Sequence, residues 1–198
     1  LIIAWESGNP AAPVEKLKAL GLTVYVSQPN RMEDVAGQLE RLGQLAGTEA
    51  TANAAAAQFR QRLDALRRGN AGKQKIRVFY QIWITPLMTV GGPQIITSAI
   101  QLCGGENVFG HLTQMAPVVS VEAVLAADPE AIVATGMGDA RPEWLDDWNK
   151  WTRMAAVKRG NLFHIHPDLM QRHTPRILDG AEQLCAALDV ARSRRPAK

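Results

Sequence analysis

The sequence predicts an α/β fold in which two small lobes with parallel sheets are joined by one long, rigid interlobe helix. Three observations carry that prediction. Short apolar, β-branched strands alternate with helical segments; an uninterrupted helical stretch from about Thr48 to Arg68 separates two such alternations; and the two alternations resemble each other in element order and turn residues.

The first unit opens with the apolar strand Leu1–Trp5 and a loop containing Gly8 and Pro10. In Pro13–Leu20 the apolar residues Val14, Leu17 and Leu20 recur every three positions, the spacing of a helix facing a sheet, and Gly21 stops it. Leu22–Val26 is β-branched and aromatic and reads as the next strand. Strand, helix, strand implies parallel pairing through a right-handed crossover. Asn30 and Glu33 have the spacing of a capping box, ahead of a helix carrying Val35, Leu39, Leu42 and Leu45. The stretch from Thr48 to Arg68 contains neither Gly nor Pro, and at about 1.5 Å per residue it makes a helix about 30 Å long, the width of a small domain.

The strand–helix pattern then restarts. Lys75–Ile82 is a strand, followed by a loop with Pro86, Gly91, Gly92 and Pro93, and by a helix over Gln94–Cys103 that Gly104 and Gly105 end. Ser120 is placed to cap a short helix reaching Leu125. Ala131–Thr135 is a strand, Trp144–Met154 a helix, Leu162–His166 a strand, and Thr174–Ala191 an amphipathic helix with Leu178, Leu184 and Leu188. Leu1–Trp5 and Gly21–Pro29 run parallel to Ala131–Thr135 and Gly160–Pro167. In the second copy a lead-in from Ser120 to Glu130 precedes the strand; the first copy has none, so the chain is expected to begin partway through its first α/β unit. The expected division is an incomplete N-terminal lobe at 1–47, a connecting helix at 48–71, a C-terminal lobe at 72–191 and a basic tail at 192–198.

With 46% apolar and 21% charged residues in 198, the chain is an ordinary globular protein and neither disordered, fibrous nor a bare coiled coil. Its longest apolar runs, such as Leu1–Trp5, fall far short of the roughly 20 residues of a bilayer span. The net charge of +3 belongs to the tail: without Arg192, Arg194, Arg195 and Lys198 the balance is −1. No stripe of Lys and Arg interleaved with aromatics appears, so no nucleic-acid partner is expected. No nucleophile elbow, phosphate loop or zinc-protease motif is present either.

Candidate binding residues lie at strand ends. Trp5 and Trp83 fall at or just past the carboxyl ends of strands, the edge where open α/β sheets hold ligands. Met88, Met115 and Met170 fall in loops, and soft side chains beside tryptophan suit a large, flat, partly apolar ligand. Trp144, Trp148 and Trp151 share one helix and read as packing residues. His164 and His166, two apart on a strand, share a face, with Asp168 and His173 nearby. That grouping is the ground for a metal-dependent enzyme as the alternative, although residues at a wet strand end are more often just polar. Cys103 and Cys185 form no C-x-x-C; they are two buried thiols or a disulfide closing a loop of about 80 residues.

Taken together, Leu1–Trp5, Cys103-Gly-Gly-Glu-Asn-Val-Phe109, Val119–Leu125, Asp128-Pro-Glu-Ala-Ile-Val133, Asp168-Leu-Met-Gln-Arg172, Pro175-Arg-Ile177 and Gln183-Leu-Cys185 resemble the class III periplasmic substrate-binding proteins of ABC importers, and within that class the cobalamin-binding branch. The resemblance spans essentially residues 1–190. It implies a ligand held between two lobes, no catalysis and no cofactor, with cobalamin or another corrinoid as the transported ligand and haem, an iron–siderophore or a metal ion as alternatives. It implies a periplasmic location, a Cys103–Cys185 disulfide, and ligand contacts from Trp5, Met88, Asp168 and Arg172. Met88 and Ala116 stand where the family has aromatics, and Trp83 where it has a small residue. Glu122 is implied to dock onto arginines of the membrane permease. The absent lead-in leaves a sheet edge that is expected either to pair with a second copy or to belong to a longer chain of which this sequence is a part.

Overall fold

The structure, a computed structural model, describes residues 1–136 and 140–196. In chain order the elements are β1 (Ile2–Trp5), α1 (Ala11–Ala19), β2 (Val24–Ser27), α2 (Asp34–Ala46), α3 (Glu49–Asn70), β3 (Ile76–Trp83), β4 (Met88–Thr89), α4 (Ile95–Leu102), β5 (Gly105–Asn107), α5 (Val121–Ala127), β6 (Ala131–Ala134), a 3-10 helix (Glu143–Lys150), α6 (Ala155–Lys158), β7 (Leu162–His164), α7 (Pro167–Met170) and α8 (Ile177–Ser193). The chain is α/β, with a parallel β1–β2 pair in register from Ile2 opposite Val24 to Trp5 opposite Ser27. A second sheet runs β4-β3-β6-β7, with β5 pairing the start of β3, and all its pairs are parallel except β3–β4.

Alternation along β3 divides the core into two layers. Ile76, Val78 and Tyr80 face one side with Ala131 and Val133, against α3, α4 and α8; Phe79, Ile132 and Ala134 face the other with Phe109, Leu145 and Trp148. The first layer also takes in Met32, Val35 and Ala36, so α2 shares a core with the larger sheet. Phe59 and Leu63 anchor α3 there; truncating the buried Phe59 to Ala would cost about 3–5 kcal/mol.

The long helix is tied at both ends of its neighbourhood. Arg60 meets Glu40 of α2 at 2.5 Å and Arg67 meets Glu33, while Arg62 pairs with Asp179 and Glu182 of α8 at 2.7 and 2.8 Å. Gly43 lets α2 and α3 approach, since a Cβ there would lie 2.2 Å from that of Ala52. Glu33 is therefore occupied by Arg67, and the expected Asn30–Glu33 capping box does not form. Instead the Asp34 carboxylate accepts from the backbone N–H groups of Asn30 and Arg31 at 3.0 and 2.9 Å.

Several other expectations are corrected. The Trp144–Met154 segment is a 3-10 helix ending at Lys150, with Leu145 and Trp148 buried three residues apart as that geometry requires. The last strand stops at His164, because Pro167 opens α7 and the His166 Nδ1 accepts the Asp168 N–H at 3.1 Å. Gly105, expected in a turn, enters β5. Met170 is not a loop residue facing a ligand but fully buried, against Gly180. The segment expected as a basic tail begins inside α8: Arg192 donates to the carbonyls of Gln74, Cys103 and Gly104, and Arg195 clasps Glu130. Lys198 lies outside the described residues. Cys103 and Cys185 are joined as a disulfide linking the end of α4 to α8. No helix among the described residues is long and apolar enough to cross a membrane.

Candidate functional site

The carboxyl ends of β1 and β3 open onto a common cleft. A cavity of about 320 Å³ there is lined by Trp5, Trp83, Met88, Met115, Gln171 and His173, with Ala116 at its side. A second cavity of about 240 Å³ adjoins it, lined by Ser27, Pro29, Arg172 and Thr174 and sharing Trp5, Gln171 and His173.

Local structure sets each wall. Trp5 ends β1; its N–H donates to the Asn9 Oδ1 at 2.6 Å and its carbonyl accepts from Gly8 and Asn9, curling the chain back. The indole lies over Gly8, where a Cβ would stand 1.9 Å from the Trp5 Cε3. Trp83 ends β3 and its indole N–H donates to the Thr85 carbonyl at 2.9 Å. The antiparallel return into β4 puts Met88 opposite Trp83. The Met115–Ala116 segment is strapped alongside by Gly91 N–H to the Met115 carbonyl at 3.1 Å and Thr89 N–H to the Pro117 carbonyl at 3.0 Å.

His173 is the polar feature of the wall. Its ring stands T-shaped to Trp5, centroids 5.3 Å apart, and among the described residues neither ring nitrogen has a hydrogen-bond partner. Burial lowers its pKa to about 4, so the imidazole is neutral at physiological pH. Gln171 beside it donates to the Thr135 Oγ1 at 2.9 Å.

The structure thus brings together Trp5, Trp83 and Met88, and sets Arg172 in the adjoining cavity. Asp168 lines neither; it pairs with the Arg172 Nε at 3.0 Å. The cleft role of His173 and Gln171 was not legible in the sequence, since a histidine in a polar loop has no periodic signal and its contact with Trp5, far away in sequence, forms only in the fold. The histidines do not assemble a metal centre: among the described residues no group of three His, Cys, Asp or Glu side chains is placed to hold an ion. Burial first, then His166 and Arg141, lower the His164 pKa.

Glu122 sits apart from the cleft in the exposed first turn of α5, which Ser120 caps by accepting the Ala123 N–H at 3.1 Å. Its own backbone N–H and the Ser120 hydroxyl hold its pKa below the usual carboxylate range. Trp148 is buried and donates its indole N–H to the Gln81 Oε1 at 2.8 Å, a packing role.

A cavity walled by indole rings and thioethers, with a neutral imidazole at its edge and one guanidinium in the adjoining cavity, is suited to enclosing a flat, partly apolar body. The family described as periplasmic binding protein matches residues 1–169. The vitamin B12-binding protein of Vibrio cholerae serotype O1 is 35% identical over 195 residues, covering 98% of this chain and 70% of that protein. The crystal structure of the periplasmic vitamin B12 binding protein BtuF of Vibrio cholerae superposes with a TM-score of 0.87 at 34% identity, over 96% of this chain and 74% of that one. The periplasmic heme-binding protein RhuT from Roseiflexus sp. RS-1 shares the fold at 18% identity, with a TM-score of 0.80 over 96% of this chain and 75% of that one. The chain belongs to the periplasmic binding protein family.

Proposed function

We propose that this protein captures cobalamin or a related corrinoid in the periplasm, in the cleft at the carboxyl ends of β1 and β3, and delivers it to the permease of an ABC importer. Family membership makes it a solute-binding protein and not an enzyme, with no resident cofactor. The observation that carries the ligand class is the cavity of about 320 Å³ walled by Trp5, Trp83, Met88 and Met115, in a chain 35% identical to a vitamin B12-binding protein. Trp5, Trp83 and Met88 contact the flat macrocycle. Arg172, oriented by Asp168, reaches polar groups at its edge. Glu122, exposed and anionic, meets basic residues of the permease.

The ion pairs from α3 to both α2 and α8 support its role as the rigid connector between an N-terminal lobe at 1–47 and a C-terminal lobe at 72–191. Ligand then changes lobe separation only slightly. Exposed Leu1, Ile3, Leu20 and Leu22 around the two-stranded sheet support pairing of its open edge with a second copy; light scattering that finds only a 21.6 kDa monomer overturns that part.

The deciding experiment is tryptophan fluorescence during titration with cyanocobalamin. Saturable quenching at micromolar ligand is expected, and its absence overturns the corrinoid reading. Haem added in parallel decides the alternative: a Soret shift without any corrinoid binding assigns the cleft to haem.

A further inference from the structure

We propose that His173 is a metal ligand for the cargo: when Trp5 turns off its ring, the imidazole takes an open axial position on the metal of a corrinoid bound across both cavities. The inference rests on the corrinoid reading above and names which corrinoids the site favours.

Four observations carry it. Among the described residues both ring nitrogens of His173 are enclosed and without partners, although buried polar atoms are almost always hydrogen-bonded. An imidazole in that state gains on binding what it lacks in the empty cleft. His173 also lines both cavities, so a flat body spanning them passes over it. What covers the ring on one side is Trp5, at the end of an edge strand and 41% exposed, a side chain that turns without disturbing the core. Burial keeps His173 uncharged above about pH 4, which leaves one ring nitrogen with its lone pair free. The adjacent Arg172 is directed to Asp168.

The exchange balances simply. One ring nitrogen keeps its proton, and the other donates its electron pair to cobalt(III) while a coordinated water leaves as water. No electron or proton changes hands. A corrinoid with a replaceable axial water is therefore favoured over one whose two axial positions are filled.

The test uses the whole chain with two probes. Diaquocobinamide has no tethered base, and its visible corrin bands move when imidazole replaces water; cyanocobalamin has both axial positions filled. Wild type is expected to show tryptophan quenching and the band shift together with diaquocobinamide. His173→Gln is expected to lose the shift and to bind diaquocobinamide about tenfold more weakly, a loss larger than any it suffers for cyanocobalamin. His111→Gln, at an exposed histidine outside the cleft, retains the shift. Saturated quenching of wild type with an unmoved spectrum overturns the inference and leaves the corrinoid reading standing, as does an unchanged shift in His173→Gln. The wild-type spectrum decides even where the variant fails to fold. Absence of quenching by either probe overturns both.

Discussion

The Trp5 indole and the His173 imidazole meet at an interplanar angle of 80° with their centroids 5.3 Å apart, and this pair forms the partition between the two cavities of the cleft. The far side of the indole rests on Gly8, where an added Cβ would lie 1.9 Å from the Trp5 Cε3. Gly8→Ala must therefore push the indole from its place. Because residues 6–10 are exposed, stability should change by less than about 1 kcal/mol. Affinity for cyanocobalamin, whose filled axial positions leave Trp5 in place beside His173, should fall about tenfold, about 1.4 kcal/mol, with a displaced tryptophan emission maximum. Unaltered emission and affinity would remove Trp5 from the ligand wall.

His173 also makes the fold acid-sensitive. Its folded pKa of about 4 lies below the ordinary 6.5, so the unfolded chain takes up the proton first as pH falls. Stability is complete above about pH 6.5 and declines toward pH 4. After discount for partial exposure the loss is about 2 kcal/mol. His164, shifted the same way, adds to it and persists in a His173 variant. Urea melts at pH 7.5 and pH 5 should show wild type losing about 1–2 kcal/mol more than His173→Gln. Equal losses would mean that the imidazole is solvated.

Glu122 separates delivery from capture. It is exposed, distant from the lining of either cavity, and not the residue that caps α5. Glu122→Lys should leave stability within about 0.5 kcal/mol and cyanocobalamin affinity unchanged, yet weaken binding to the purified permease. Undiminished permease binding would place the docking surface elsewhere.

How far the sequence shows these features depends on the range of the interactions behind them. Apolar Ile76, Val78 and Tyr80 make β3 legible because its neighbours on both faces are helices, and Trp5 and Trp83 are legible because strand ends are where α/β sheets bind. β4 and β5, two and three residues long, carry no periodicity to read. The 3-10 helix escapes because the spacing of Trp144, Trp148 and Trp151 suits an α-helix as well. Glu33 fails as a capping residue because Arg67, 34 residues on, takes its carboxylate. His173 acquires its character only when β1 brings Trp5 against it, a tertiary effect with no local signature.

The disulfide supplies a large share of stability through the unfolded chain. Cys103 and Cys185 are 82 residues apart, and closing a loop of that length is worth about 4–5 kcal/mol in the chain-entropy model. The double variant Cys103→Ala/Cys185→Ala should melt about 10–15 °C lower. Both cysteines are buried, so reductant without denaturant should act slowly on the wild type. A melting temperature within about 2 °C of wild type would show that packing between α4 and α8 alone holds this corner.

Glu130 ties the end of the chain to the sheet. It accepts from the Arg195 Nε and Nη2 at 2.8 and 2.7 Å, from Arg159 at 3.0 Å, and from the Arg77 N–H at 3.2 Å. Burial pushes its pKa up, but Arg195, the Arg77 N–H and Arg159 together more than offset this and hold it at about 2. A carboxylate with a depressed folded pKa contributes stability that is complete above about pH 4.5 and is lost as pH falls through about 2. Glu130→Gln leaves two guanidiniums without their counter-charge and should cost about 2 kcal/mol at pH 7. The gap between wild type and variant should shrink below about 1 kcal/mol by pH 2.5, a window that His173, shifted between about 6.5 and 4, does not share. Chemical denaturation across pH 2.5–7 reads both windows separately. A gap that stays constant with pH would assign the role of Glu130 to its shape and neutral hydrogen bonds, and not to its charge.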